Sequence, residues 1–283
     1  MLDINDIELI NKNIYTEDHN FLIYKEILGE PFLQHGILYY FDEKKISLSI
    51  LGFFLKRNTN NSDVIKLLRN FIRKNQVRII NYVGPNYLSF PKEFKEDYCY
   101  LTFLPPNNFN VEMGIDLNFD NKFKKIRLKK NIEISIINPY KITKNHLKII
   151  NIFKKCHNIS RIDAELIGKL NEYLLSDNRI LFESYVDNEL TGFSVLDINF
   201  KNQPIYLFGF YNNEKNGTSD RIYYSMIEYL RNRGYPFLNL GYSLHKNLYF
   251  YKIKWGGYNI NPPPYHITII RKDLISKNSE PLW

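Results

Sequence analysis

Residues 209–220 read GFYNNEKNGTSD, and residues 52–63 read GFFLKRNTNNSD. Both begin Gly-Phe-aromatic at the end of an apolar run, and both reach Ser-Asp after the same number of polar, turn-forming residues. After Ser62-Asp63 the chain continues VIKLLRNFIRKNQ and then VRIINYVG; after Ser219-Asp220 it continues RIYYSMIEYLRNRG and then YPFLNLG. In each case a helical apolar period gives way to a strand-like run. Strand, polar loop, Ser/Asp helix start, helix and strand therefore recur at an offset of 157 residues (209 minus 52), with no gap up to the helix. Recurrence of a whole ordered unit marks an internal duplication. The sequence predicts two related α/β domains, over residues 1–115 and 116–283.

The second half reads more fully. Ile132–Ile137 alternates like a strand, Thr143 is a helix N-cap for a stretch to about Cys156, and Arg161–Leu174 carries a second helical pattern. Three strands follow in a meander, Ile180–Val186, Leu190–Ile198 and Ile205–Tyr211, joined by turn segments. Ser219 is the expected N-cap of a helix running to about Arg233, which Gly234 ends as a C′ glycine. Tyr235–Leu240 is the next strand, Lys246–Lys254 a short helix, and His266–Arg271 a closing strand after Pro262-Pro263-Pro264. The predicted order, β-α-α-β-β-β-α-β-α-β, is similar to that of the Gcn5-related acetyltransferase fold, with mixed central sheets flanked by helices.

Composition narrows the class. The chain has 283 residues, 44% hydrophobic and 24% charged, which is ordinary globular usage. No apolar run approaches the roughly 20 residues that span a bilayer. The start, MLDINDIELINKN, carries acids where a secretion signal carries bases, so a cytoplasmic protein without a transmembrane segment is expected. Two cysteines, Cys99 and Cys156, build no disulfide framework, and His157, His245 and His266 have no metal-ligand spacing. No metal and no cofactor are expected. The net charge of +8 favours anionic partners, yet it comes with abundant Asn, Ile, Tyr and Phe and a single alanine, Ala164, the residue usage of AT-rich codons.

Three stretches together resemble the Fem-type peptidyltransferases and the catalytic domain of phosphatidylglycerol aminoacyltransferases. The first is Met113-Gly114-Ile115-Asp116-Leu117 with Phe123-Lys124-Lys125-Ile126-Arg127, which resembles the family's Asp-Leu followed by a basic K-x-x-R run. The second is Gly217-Thr218-Ser219-Asp220 followed by Arg233-Gly234-Tyr235-Pro236-Phe237-Leu238-Asn239-Leu240-Gly241, similar to G-x-x-D…G-Y-x-x-x-N-L-G. The third is Leu248-Tyr249-Phe250-Tyr251-Lys252-Ile253-Lys254-Trp255-Gly256, resembling Gly-Leu-x-x-Phe-Lys-x-x-Phe-Gly, with Tyr251 and Trp255 at the two aromatic positions. The resemblance covers roughly residues 36–271. It implies tandem acetyltransferase-like domains that move an amino acid from aminoacyl-tRNA to an amine or hydroxyl of a small-molecule, peptide or lipid acceptor. Neither the membrane-spanning half nor the coiled-coil arm of some members is expected from this sequence, which leaves the acceptor open.

Acyl transfer needs a held donor, a stabilised oxyanion and a route for the nucleophile's proton. The resemblance makes Lys252 the lysine that supports transfer, and Glu183, on a strand, is the candidate general base. Lys254, Gly217, Thr218, Ser219, Tyr242 and Ser243 are candidates to hold the donor; Arg127, Lys124, Tyr251 and Trp255 are candidates for acceptor or phosphate. Lys122–Lys130 holds six basic residues in nine, a pattern that a solvated linker explains equally well. Asp220 reads as an acid at a helix start. The loop Asn212–Thr218 offers one glycine, Gly217, with Glu214 beside it, where acetyltransferases present a Gly-x-Gly phosphate cradle. Coenzyme A binding is therefore disfavoured. Two other readings stay open: an N-acyltransferase using acyl-CoA or an acyl carrier protein, and a non-catalytic protein of this fold that binds RNA or a partner.

Overall fold

A computed structural model of the chain describes residues 27–34, 37–51, 61–84, 87–105, 108–109, 111–118, 131–137, 142–157, 161–174, 178–198, 204–212, 217–243, 246–260 and 265–275. In chain order the elements are β1 (Glu30–Gln34), β2 (Ile37–Asp42), β3 (Ser47–Leu51), α1 (Asn61–Asn75), β4 (Ile79–Gly84), β5 (Tyr98–Leu104) and β6 (Glu112–Asp116). They continue with β7 (Glu133–Ile137), α2 (Lys144–Cys156), α3 (Arg161–Gly168), α4 (Leu170–Tyr173), β8 (Arg179–Val186), β9 (Glu189–Asp197) and β10 (Ile205–Tyr211). Last come α5 (Thr218–Arg231), β11 (Phe237–Tyr242), α6 (Lys246–Lys254), β12 (Tyr258–Asn259) and β13 (Tyr265–Arg271). Among the described residues no helix is long and apolar enough to cross a membrane.

The strands form two mixed sheets, ordered β1-β2-β3-β4-β13-β5 and β12-β6-β11-β10-β9-β8-β7. In each sheet a strand, a helix and a parallel strand form the central unit: β3-α1-β4 in one, β10-α5-β11 in the other. The compact units follow the sheets, one taking residues 1–107, 160–166 and 263–283, the other 108–159 and 167–262. The expected closing strand of the second half is thus corrected. β13 pairs antiparallel with β4 and β5 of the first sheet, and β6 takes the corresponding position beside β11 in the second.

Periodicity explains the layers. In the first unit Val64, Leu67, Leu68 and Ile72 of α1 pack on Leu48, Ile50, Ile80, Tyr82, Ile267 and Ile269, alternate residues of three strands. In the second unit α5 lays Ile222, Tyr223, Met226, Ile227 and Leu230 on one sheet face with Ile180, Phe182 and Leu238. The other face takes Ile149 and Ile150 of α2 against Leu181, Phe193, Val195 and Phe210. Each such side chain contributes about 1.5–3 kcal/mol by leaving water. Thr143 caps α2 as expected: its hydroxyl accepts from the His146 amide, and its own amide donates to His146 Nδ1 at 3.1 Å.

Candidate functional site

The two strand-helix-strand units differ where it matters for a site. β3 and β4 run as a closed parallel ladder over five residue pairs, from Ser47↔Ile79 to Leu51↔Val83. β10 and β11 pair only at Ile205↔Asn239 and the ladder then stops, and this gap in the pairing of two central strands is the candidate cleft.

Side chains take over the backbone groups at the parting. Asn239 N still donates to Pro204 O at 2.8 Å. The next amide on that strand, Gly241 N, donates to Asn239 Oδ1 at 2.7 Å, and Gly241 has φ 66, a conformation that favours glycine. Asn239 Nδ2 donates to Glu112 Oε1 of β6 at 2.8 Å. Lys252 Nζ, from α6, donates to Gly241 O at 3.0 Å and to Tyr242 O at 2.7 Å. Glu112 and Asn239 are 0% exposed and Lys252 1%. Burial pushes the Lys252 ammonium down to about 7, against the opposing pull of Glu112. The sequence marked Lys252 but passed over Glu112, and it held Asn239 only as part of a motif.

At the other side of the cleft, α5 begins without a side-chain cap. Its N-cap is Gly217 with φ 95, rather than Ser219, which lies inside the first turn. Thr218 is buried, and its hydroxyl donates to Thr191 Oγ1 at 3.3 Å. Lys254 and Asp220 form an ion pair beside this helix start, with Nζ 2.8 and 2.7 Å from the two carboxylate oxygens. Lys252 and Lys254 therefore part company: two residues apart on a helix, one is buried and the other exposed.

Aromatic hydroxyls line the interior next to β10. Tyr211 Oη lies 2.6 Å from Ser194 Oγ and 3.1 Å from Tyr206 Oη, and Gly209 leaves room for both tyrosines. Burial raises Tyr206, Tyr211 and Tyr251.

Other expectations change. Trp255 is fully buried in the core, its ring 5.8 Å from that of Tyr223, so it is a packing residue and not an acceptor contact. Ser243 is buried as well, with its amide bonded to Val111 O. Tyr242 remains half-buried at the strand tip. Glu183 is not a base facing the cleft. It sits on β8, two strands and about 10 Å from β10, with its carboxylate 2.7 Å from His146 Nε2 and accepting from Tyr185 Oη at 2.7 Å. Burial alone would raise its pKa, but the His146 and Tyr185 contacts prevail and hold it below the usual carboxylate value. Lys124 and Arg127 lie outside the described residues, as do Gly52, His245 and the loop 213–216.

No protein-family model and no curated protein matches the chain. Solved structures do. FemX superposes with a TM-score of 0.58 at 11% identity, covering 94% of this chain and 96% of its own. A conserved protein of unknown function from Bacteroides thetaiotaomicron VPI-5482 gives 0.56 at 11%, covering 95% and 98%. A functionally unknown conserved protein from Staphylococcus epidermidis ATCC 12228 gives 0.53 at 11%, covering 88% and 97%. With its two mixed sheets and this likeness along nearly the whole chain, the protein has the tandem acetyltransferase-like α/β fold of FemX, as its motifs led us to expect.

Proposed function

We propose that the chain is an acyl-group transferase, moving an amino acid from aminoacyl-tRNA to an amine or hydroxyl acceptor in the cleft between β10 and β11. The observation that carries this reading is the single pair joining β10 to β11, set against five joining their counterparts β3 and β4. Opening in one copy alone supports placing the working site there.

The chemistry fits the residues around the opening. Gly217, the N-cap, brings no side chain to cap α5, and the first amides of the helix lie at the positive end of its dipole. They suit a donor phosphate, and Gly217, having no Cβ, lets it come close. One glycine with Glu214 in the same loop suits a single phosphate better than the pyrophosphate of coenzyme A. Among the described residues, Lys254, exposed and held by Asp220 beside this helix start, is a cation situated to meet that phosphate. Tyr242, half-buried at the tip of β11, would border the acyl group. Lys124 and Arg127 remain candidates for the acceptor or the RNA backbone through their motif alone. The acceptor class, whether small molecule, peptide or lipid, stays as wide as the motifs leave it.

The test is discharge of a labelled aminoacyl-tRNA pool by the purified protein with amine and lipid-hydroxyl acceptors, run beside thiol release from acetyl-CoA. Acceptor-dependent discharge with no thiol release supports aminoacyl transfer. Thiol release alone, from acetyl-CoA or an acyl carrier protein, would replace it with the thioester reading, and neither activity would leave a non-catalytic binding protein.

A further inference from the structure

We propose that Glu112, Asn239 and Lys252 form a lock that holds the tip of β11 away from β10, so that Lys252 is a positioning residue for the cleft and not a group that meets the donor. The lock stands on geometry alone; its importance for transfer rests on the reading of the cleft given above.

A parallel ladder that starts with Asn239 N on Pro204 O continues by sending Gly241 N to Tyr206 O. Here that amide goes to Asn239 Oδ1 instead, and the Gly241 and Tyr242 carbonyls both accept from Lys252. Three backbone groups at the tip are thereby satisfied without β10, which removes the penalty that an unpaired buried amide or carbonyl would carry. Glu112 fixes the Asn239 amide from the far side, and its negative charge favours the buried ammonium.

The first unit shows what a buried asparagine does without such a lock. Asn81, also 0% exposed, takes part in side-chain bonds with its neighbours: Nδ2 to Ser49 Oγ at 3.4 Å, and Thr268 Oγ1 to Oδ1 at 3.2 Å. It leaves the ladder whole. A second sign is the inverted pattern of α6. Its one buried residue is Lys252, while Phe250 and Ile253 are 51% and 41% exposed. Burying a lysine in preference to a phenylalanine runs against transfer energetics. The choice makes sense only if donors are needed at that point. At 1% exposure the amine has no open path to a ligand, and with or without its third proton it keeps the two N–H groups the carbonyls require.

Hydrogen exchange on peptides covering 238–243, measured for wild type, Lys252→Met, Asn239→Ala, Glu112→Gln and Lys252→Arg, tests this directly. We expect the tip amides to exchange at least tenfold faster in Lys252→Met and Asn239→Ala, with peptides of α5 unchanged and with partial recovery in Lys252→Arg. Single-turnover discharge of aminoacyl-tRNA should then fall by similar factors in Lys252→Met and Asn239→Ala, and the double variant should lose no more than the worse single one. Unchanged tip exchange in Lys252→Met overturns the lock, whatever happens to activity. Lost discharge with an unmoved tip would return Lys252 to the donor. Should wild type discharge no aminoacyl-tRNA, the cleft reading fails while the exchange result still decides the lock. Should Lys252→Met not fold, Asn239→Ser, which removes the amide but no charge, carries the same comparison.

Discussion

Lys252→Met should flatten the pH dependence of stability between about pH 7 and 10.5. The folded-state pKa of Lys252 is lowered from 10.5 to about 7 by burial. In that window the unfolded chain binds the proton and the folded chain does not, so stability rises with pH. Below about pH 7 both states are protonated and the cost of the buried ammonium is fully present; above 10.5 both are neutral and it is gone. A difference of roughly 3.5 units at about 1.4 kcal/mol each amounts to roughly 5 kcal/mol across the window, an upper bound because buried sites relax and admit water. Methionine matches the length of the stem and carries no proton. It also leaves the Gly241 and Tyr242 carbonyls without their donor, an offset of about 1–3 kcal/mol that does not change with pH. Urea unfolding followed by Trp255 fluorescence, in a Trp283→Phe background, reports on the second unit because Trp255 is buried in its core. The buried tyrosines also titrate at high pH, with the opposite sign, but they are common to both proteins and cancel in the difference. Midpoints at pH 6.5, 7.5, 8.5 and 9.5 should diverge between variant and wild type. Parallel curves would mean that Lys252 keeps an ordinary pKa and is not desolvated at the strand tip.

Gly209→Ala should destabilise the second unit by about 1–3 kcal/mol, since its Cβ would stand 1.8 Å from Tyr206 Oη and 2.6 Å from Tyr211 Oη; Tyr206→Phe should recover part of the loss in urea melts. Asp197→Ala should cost about 3–5 kcal/mol by leaving Arg179 charged and 0% exposed, whereas Arg179→Met with Asp197→Leu should cost far less by the same measurement. Calorimetry with acetyl-CoA should show no micromolar binding, because the α5 start offers one glycine and no paired cradle; a micromolar constant would overturn that.

Local chemistry was legible in the sequence, and partners across space were not. Thr143, Gly234 and the helix Lys246–Lys254 follow from capping and spacing, which depend on a few neighbouring residues. The strand pattern of His266–Arg271 was equally clear, but alternation says which face a residue takes and nothing about which strand it pairs with. Hence β13 was assigned to the wrong sheet. Glu183 failed for the same reason: its alternation was visible, while the His146 that meets it comes from a helix 37 residues earlier (183 minus 146). Ser219 is a reasonable cap by residue type, but the chain turns two residues earlier, where Gly217 can take φ 95. The lock was the least legible feature, since Glu112 and Asn239 are 127 residues apart and neither has an unusual neighbour.

The exchange of β6 and β13 between halves has a consequence for the order of synthesis. The second unit is complete once residue 262 has left the ribosome, but the first waits for β13 before β4 and β5 can be joined. At about 5–20 residues per second, the 161 residues between Leu104 and Tyr265 (265 minus 104) take roughly 10–30 s to make. During that time β4 shows one open edge and β5 has no strand partner, and both are able to pair with other chains. A nascent chain stalled near residue 260 would hold a finished second unit and an unclosed first one. A fragment ending at residue 115 would keep the open edge of β4 and an unpaired β5 permanently, and should aggregate where the whole chain does not.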